Sequence, residues 1–157
     1  MNRRTTRTLA AALSLTAALA ISGCSSDSGP DDGKPQLSVS GGYMPEPVND
    51  KMAGAFMVIK NASKTADKLT AVTSALSGDV TIHQTKDQKM QQVQALDVPA
   101  NGELKLARGG DHVMFMGLKN QPKVGDKVTV ELRFEKAEPV KVELDVKERT
   151  YNPQNAR

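Results

Sequence analysis

The chain contains only two histidines, and each stands near a methionine: His83 has Met90 seven residues on, and His112 has Met114 two residues on. Imidazole nitrogen and thioether sulfur are borderline and soft donors, a combination that suits a filled-shell soft cation such as copper(I) better than carboxylates do. Neither donor must lose a proton with difficulty near pH 7, so binding would persist until the imidazoles protonate. In His112-Val113-Met114-Phe115-Met116 an extended chain sends His112, Met114 and Met116 to one face and Val113 and Phe115 to the other. Two residues along a strand put the Cα atoms of His112 and Met114 about 6.5–7 Å apart, close enough to converge on one ion, whereas Met116 at about 13 Å is a neighbour. His83 follows Val80 and Ile82, the apolar positions of its strand, and so points away from their face. Met90 comes after Gln84 to Lys89, which reads as a polar loop, at the start of the next strand. Duller roles stay open at this level, because methionine in a β-domain ordinarily fills core gaps and a surface histidine is ordinarily just solvated.

Other chemistries find no residues to carry them. A blue-copper electron-transfer centre needs a Cys thiolate beside two histidines, and the single cysteine, Cys24, stands in the N-terminal segment. There is no Cys/His dyad, no Gly-x-Ser-x-Gly elbow and no phosphate-cradling Gly loop, and two histidines without a third strong ligand make a poor catalytic zinc site. No enzyme is expected. Nucleic acid is not an expected partner either. With a signal segment carrying Arg3, Arg4 and Arg7 removed, Lys+Arg falls from 21 to 18 against 18 Asp+Glu, so the formal net charge of +3 disappears. Two Tyr, three Phe and no Trp leave little for base stacking.

The elements that must position the His and Met side chains have a period of two. Val128, Val130, Leu132 and Phe134 alternate with polar residues, and beyond Lys136-Ala137-Glu138-Pro139 so do Val140, Val142, Leu144 and Val146, which reads as a hairpin of half-buried strands. Further strands are expected over Leu37–Tyr43, Ala53–Asn61, Lys68–Ser74, Asp79–Thr85, Met90–Leu96, Glu103–Ala107 and Val113–Leu118. Short strands separated by Gly, Pro, Asn and Asp turns predict an all-β, Greek-key antiparallel sandwich of the cupredoxin or immunoglobulin kind. Residues 1–24 read as a secretory signal, with a basic start, an apolar run from Leu9 to Ile21, and Ile21-Ser22-Gly23-Cys24 resembling a bacterial lipobox. Cys24 is then the expected lipidation site, which would hold the protein at the extracytoplasmic face of the membrane. Residues 25–36 form a polar tether, 37–149 the domain, and 150–157 a loose tail.

From about Gly54 to Val146 the chain resembles the periplasmic copper chaperones of the PCu(A)C type, whose signature is His, a Met after a variable loop, 21 residues, then His-x-Met. Here 21 residues separate Met90 from His112, and His112-Val113-Met114 completes the pattern. Ala55-Phe56-Met57-Val58-Ile59-Lys60-Asn61, Asp67-Lys68-Leu69, Gly109-Gly110-Asp111 and Leu132-Arg133-Phe134-Glu135 resemble flanking segments of the same family. The resemblance implies a cupredoxin-like sandwich with His83, Met90, His112 and Met114 as ligands to one Cu(I). It implies transfer of that ion to a copper acceptor such as cytochrome c oxidase or another copper chaperone. The first segment departs from the pattern: six residues separate His83 from Met90 where ten are common, and Gln84 stands where a second Met often follows the His. Two other readings use the same residues, a copper-buffering protein and a non-catalytic sandwich that binds a protein or cell-wall partner.

Overall fold

The structure, a computed structural model, describes residues 33–155. The expected signal segment, Cys24 and most of the tether lie outside the described residues. Ten strands form: β1 (Leu37–Pro45), β2 (Met52–Asn61), β3 (Asp67–Ser74), β4 (Ser77–Lys86), β5 (Lys89–Val93), β6 (Leu96–Val98), β7 (Gly102–Leu106), β8 (His112–Leu118), β9 (Lys127–Phe134) and β10 (Val140–Lys147). The strands run in the order β5-β4-β8-β2-β1-β10-β9-β3-β6, with β7 also on β2, and a β3–β4 pairing at Ser74 and Ser77 closes the sheet on itself. The result is the expected all-β architecture, a flattened barrel or sandwich. Among the strand pairings of the described residues only β1–β10 is parallel.

Alternation explains why these segments become strands. In β9 the exposures of Val128, Val130 and Leu132 are 6%, 1% and 0%, while Thr129 and Arg133 face solvent. In β8 Val113 and Phe115 are both fully buried. Each such side chain removed from water contributes about 1.5–3 kcal/mol to the folded state, so a one-residue slip, which would turn them outward, is strongly disfavoured. Met44 and Met57 lie in this core, 0% and 1% exposed, as ordinary gap-filling methionines.

Two expectations are refined. The segment Met90–Leu96 is not one strand, because Lys89–Val93 pairs with β4 whereas Leu96–Val98 crosses to β3. The polar stretch before Met90 is likewise not a loop: β4 continues to Lys86 and turns through Asp87 and Gln88 alone, both in the left-handed region at φ 51° and 62°. That is the two-residue geometry of a tight hairpin whose twist matches its strands. Elsewhere the carboxylate of Asp67, 2% exposed, accepts from the backbone N–H groups of Lys68, Lys136 and Ala137 at 2.8–3.0 Å and so fixes the β9–β10 turn. Tyr151, in the tail expected to be loose, packs edge-on against Tyr43 with centroids 4.9 Å apart.

Candidate metal centre

Three strands of one sheet face carry the site. β4 and β8 pair antiparallel with His83 directly opposite His112 and Thr81 opposite Met114. Directly paired residues project to the same face, so His83, His112 and Met114 meet on the side away from Ile82, Val113 and Phe115. The two imidazoles stack at a centroid distance of 5.3 Å and an interplanar angle of 24°. Met114 is flanked by Thr81 on one strand and by Gly54 of β2 on the other, with the edge of the Phe56 ring lying over Gly54.

The histidines are held differently. His112 is 6% exposed, between the His83 ring and Phe56, whose centroid lies 6.5 Å away. Its Nδ1 sits 2.9 Å from the carbonyl of Gly110. A carbonyl only accepts, so Nδ1 carries the proton and Nε2 keeps the lone pair that a metal needs. The Gly110 carbonyl also accepts from the Thr85 hydroxyl at 2.9 Å, and the Asp111 carboxylate accepts from the Thr85 N–H at 3.1 Å. Thr85 therefore locks the turn before His112 onto β4, the strand that carries His83, and sets the register of the two rings. His83 is half-buried, and its Nε2 lies 3.0 Å from the hydroxyl of Thr81, which is also 3.5 Å from the carbonyl of Met114. A hydroxyl both donates and accepts, so Thr81 supports either tautomer of His83. Burial, and secondarily the facing His112, lower the His83 pKa from its ordinary 6.5, which keeps the ring neutral and available as a donor at pH 7.

Met90 stands apart from the other three. It lies on the outer strand β5, pairs with Thr85 of β4 and is 65% exposed. It shares their face, but the register sets it four β4 residues and two strand spacings from Met114, about 16 Å between Cα atoms in a flat sheet. The histidine pair lies between the two methionines. Among the described residues no three or more His, Cys, Asp or Glu side chains group to hold a metal, so thioether sulfur would have to complete any ligand set at this face. Sequence reasoning missed Thr81 and Thr85, which orient the histidines, and also Met52, the register partner of Met116. Met52 was visible one residue before the expected start of β2, in outward alternation with Gly54 and Phe56.

The family model described as "Putative lipoprotein LpqE-like" matches residues 37–146, the whole sandwich up to Val146. The chain belongs to the LpqE-like family. A curated relative named "Putative lipoprotein Lxx21020", from Leifsonia xyli subsp. xyli, is 32% identical over 102 residues, 62% of this chain. The match spans 61% of that relative's length. Among solved structures, the LpqE-like domain superposes on the apo PCuAC domain from PmoF1 at TM-score 0.67 with 27% identity over 73% of this chain and 96% of that one. The solution structure of CuI-DR1885 from Deinococcus radiodurans matches at TM-score 0.61 with 29% identity, covering 74% of this chain and 80% of that chain. The copper-bound PCuAC domain from PmoF2, at 23% identity and TM-score 0.66 over 73% of this chain and 95% of that one, shares the fold. The PCu(A)C resemblance of the motif is thus matched by the fold of the LpqE-like sandwich.

Proposed function

We propose that the protein is an extracytoplasmic copper(I) carrier that binds one ion through His83, His112 and Met114, with Met90 as the fourth ligand when the β4–β5 hairpin curls inward. The observation that carries this reading is the in-register His83–His112 pair, with rings 5.3 Å apart and Met114 beside it on one sheet face. The soft donor set favours copper(I) over hard divalent cations. Copper(I) is also the ion of the superposed CuI-DR1885 structure. A site at the surface permits ligand exchange, in which the acceptor's donors enter as the carrier's leave; an ion sealed in the core could not pass through that shared state. Thioethers and neutral imidazoles leave without taking up a proton, so exchange needs no acid or base and no enzyme chemistry.

The acceptor we favour is a membrane cuproenzyme such as cytochrome c oxidase, or a second chaperone serving it. A lipid on Cys24 would keep donor and acceptor at the same membrane surface, in keeping with the lipoprotein names of the family and of its Leifsonia relative. Anaerobic copper(I) titration against a chromophoric competitor tests binding: one equivalent is expected to be withheld from the competitor, and H112A to release it. No retention by the unaltered protein overturns the carrier reading. Delivery is tested separately by oxidase activity of a deletion strain under copper limitation. Full activity there, with binding intact, would assign the protein to buffering.

A further inference from the structure

The sheet face that carries the histidines holds two more thioethers, one row farther along β8. Met52 of β2 and Met116 of β8 are direct register partners, 50% and 38% exposed. Opposed residues on one face have Cβ atoms about 4.5–5.5 Å apart, within the span that two flexible thioether arms can share around one ion. Core filling does not account for these side chains, since the buried methionines of this domain, Met44 and Met57, are at most 1% exposed. The neighbouring row holds Gly54 opposite Met114. Met52, Gly54 and Met114 line one shallow depression of about 250 Å³, in which only the edge of the Phe56 ring comes over Gly54.

The chemistry of the pair selects its ligand. Two neutral thioethers bind soft monovalent ions and have little affinity for hard cations. Without an imidazole they bind more weakly than the mixed set beside them. Four charged groups lie close, Asp79 opposite Met116 on β4 and Glu46, Arg108 and Arg149 around the depression, two of each sign. Their charges balance, so the thioethers and not net charge decide what binds.

We propose that Met52 and Met116 form a second, weaker soft-metal site, which takes copper(I) one step along the sheet from the His83–His112–Met114 cluster. The physiological ion rests on the copper reading of that cluster; the existence of the outer site does not. The test is a silver(I) titration of the protein labelled at the methionine methyl carbons and followed by NMR. The first equivalent is expected to move the Met114 methyl and the ring signals of His83 and His112. Further silver should move Met52 and Met116 together, and Met116→Leu should leave Met52 still while Met114 responds as before. Methyl signals of Met52 and Met116 that stay fixed in excess silver overturn the outer site. So does a Met52 response that survives Met116→Leu unchanged. Silence at Met114 and both histidines, with Met52 and Met116 moving together, would instead remove the copper reading of the inner cluster and leave the outer site standing.

Discussion

The β8 half of the site and the β4–β5 half bring the same two residue types to the same face and hold them in different ways. On β8, His112 is buried, its tautomer is set by the Gly110 carbonyl, and Met114 follows on a strand whose other face is the fully buried Val113 and Phe115. On the other half, His83 rests against a hydroxyl that accepts either tautomer, and Met90 stands 65% exposed on an outer strand after a turn with two left-handed residues. A carrier gains from both arrangements. A buried half fixes where the ion sits, and an exposed half leaves ligands that an acceptor's donors can reach and displace.

The comparison can be broken most directly by substituting its members one at a time. His112→Ala should weaken copper(I) binding by about 100-fold or more, beyond the 10–100-fold typical when only a metal ligand's supporting partner is lost, as read in competitor titrations. Met114→Leu should cost about tenfold and Met90→Leu less than about threefold; equal losses would mean that the hairpin closes over the ion as firmly as β8 holds it. Thr85→Val removes the hydroxyl clamp on Gly110 while keeping the strand shape. It should lower unfolding free energy by about 1 kcal/mol, and it should weaken copper binding by up to about tenfold through misplacement of His112. Gln88→Gly relieves a left-handed residue in the hairpin and should raise stability by about 0.5–1 kcal/mol in denaturant unfolding, with copper affinity changed by no more than Met90→Leu changes it.

The smallest expected effect is in protonation. His83 of the metal-free protein should titrate below the ordinary 6.5, by NMR of its ring protons, and His112→Ala should raise it part of the way, since burial is the larger cause and the facing histidine the lesser. A histidine whose folded pKa is lowered takes up its proton later than in the unfolded chain. The stability linked to it is therefore complete above the unfolded value and declines as pH falls from there toward the folded one. A His83 that titrates above 6.5 would mean that the adaptable β4–β5 half carries an unrecognised anionic partner.

Much of this was legible in the sequence because both the fold and half of the site are written in a period of two. The alternation Val128-Val130-Leu132 gave β9, and the same rule placed His112 and Met114 together, away from Val113 and Phe115. What alternation does not encode is which strand lies next to which. The parallel β1–β10 pairing joins segments about a hundred residues apart, and the facing of His83 and His112 depends on a register fixed by Thr85 and the Gly110 turn. The break between β5 and β6 escaped for a similar reason, since Met90–Leu96 keeps strand-forming composition while its ends pair with different neighbours. Met52 was overlooked because it lies outside the stretch from His83 to Met116 and becomes a neighbour only through its pairing with Met116.

The antiparallel pairing of β1 with β2 has a geometrical consequence for the whole molecule. Leu37, where the domain begins, lies beside Asn61 at the far end of β2, while the row of Gly54 and Met114 lies near its start. Seven residues of extended chain separate the two, about 23 Å. A leash from the membrane would enter at one pole and the cargo would ride at the other, turned away from the lipid. With the tether drawn taut, a docking partner would meet the site about a domain's height above the bilayer, and nearer approach would require the domain to turn on its tether.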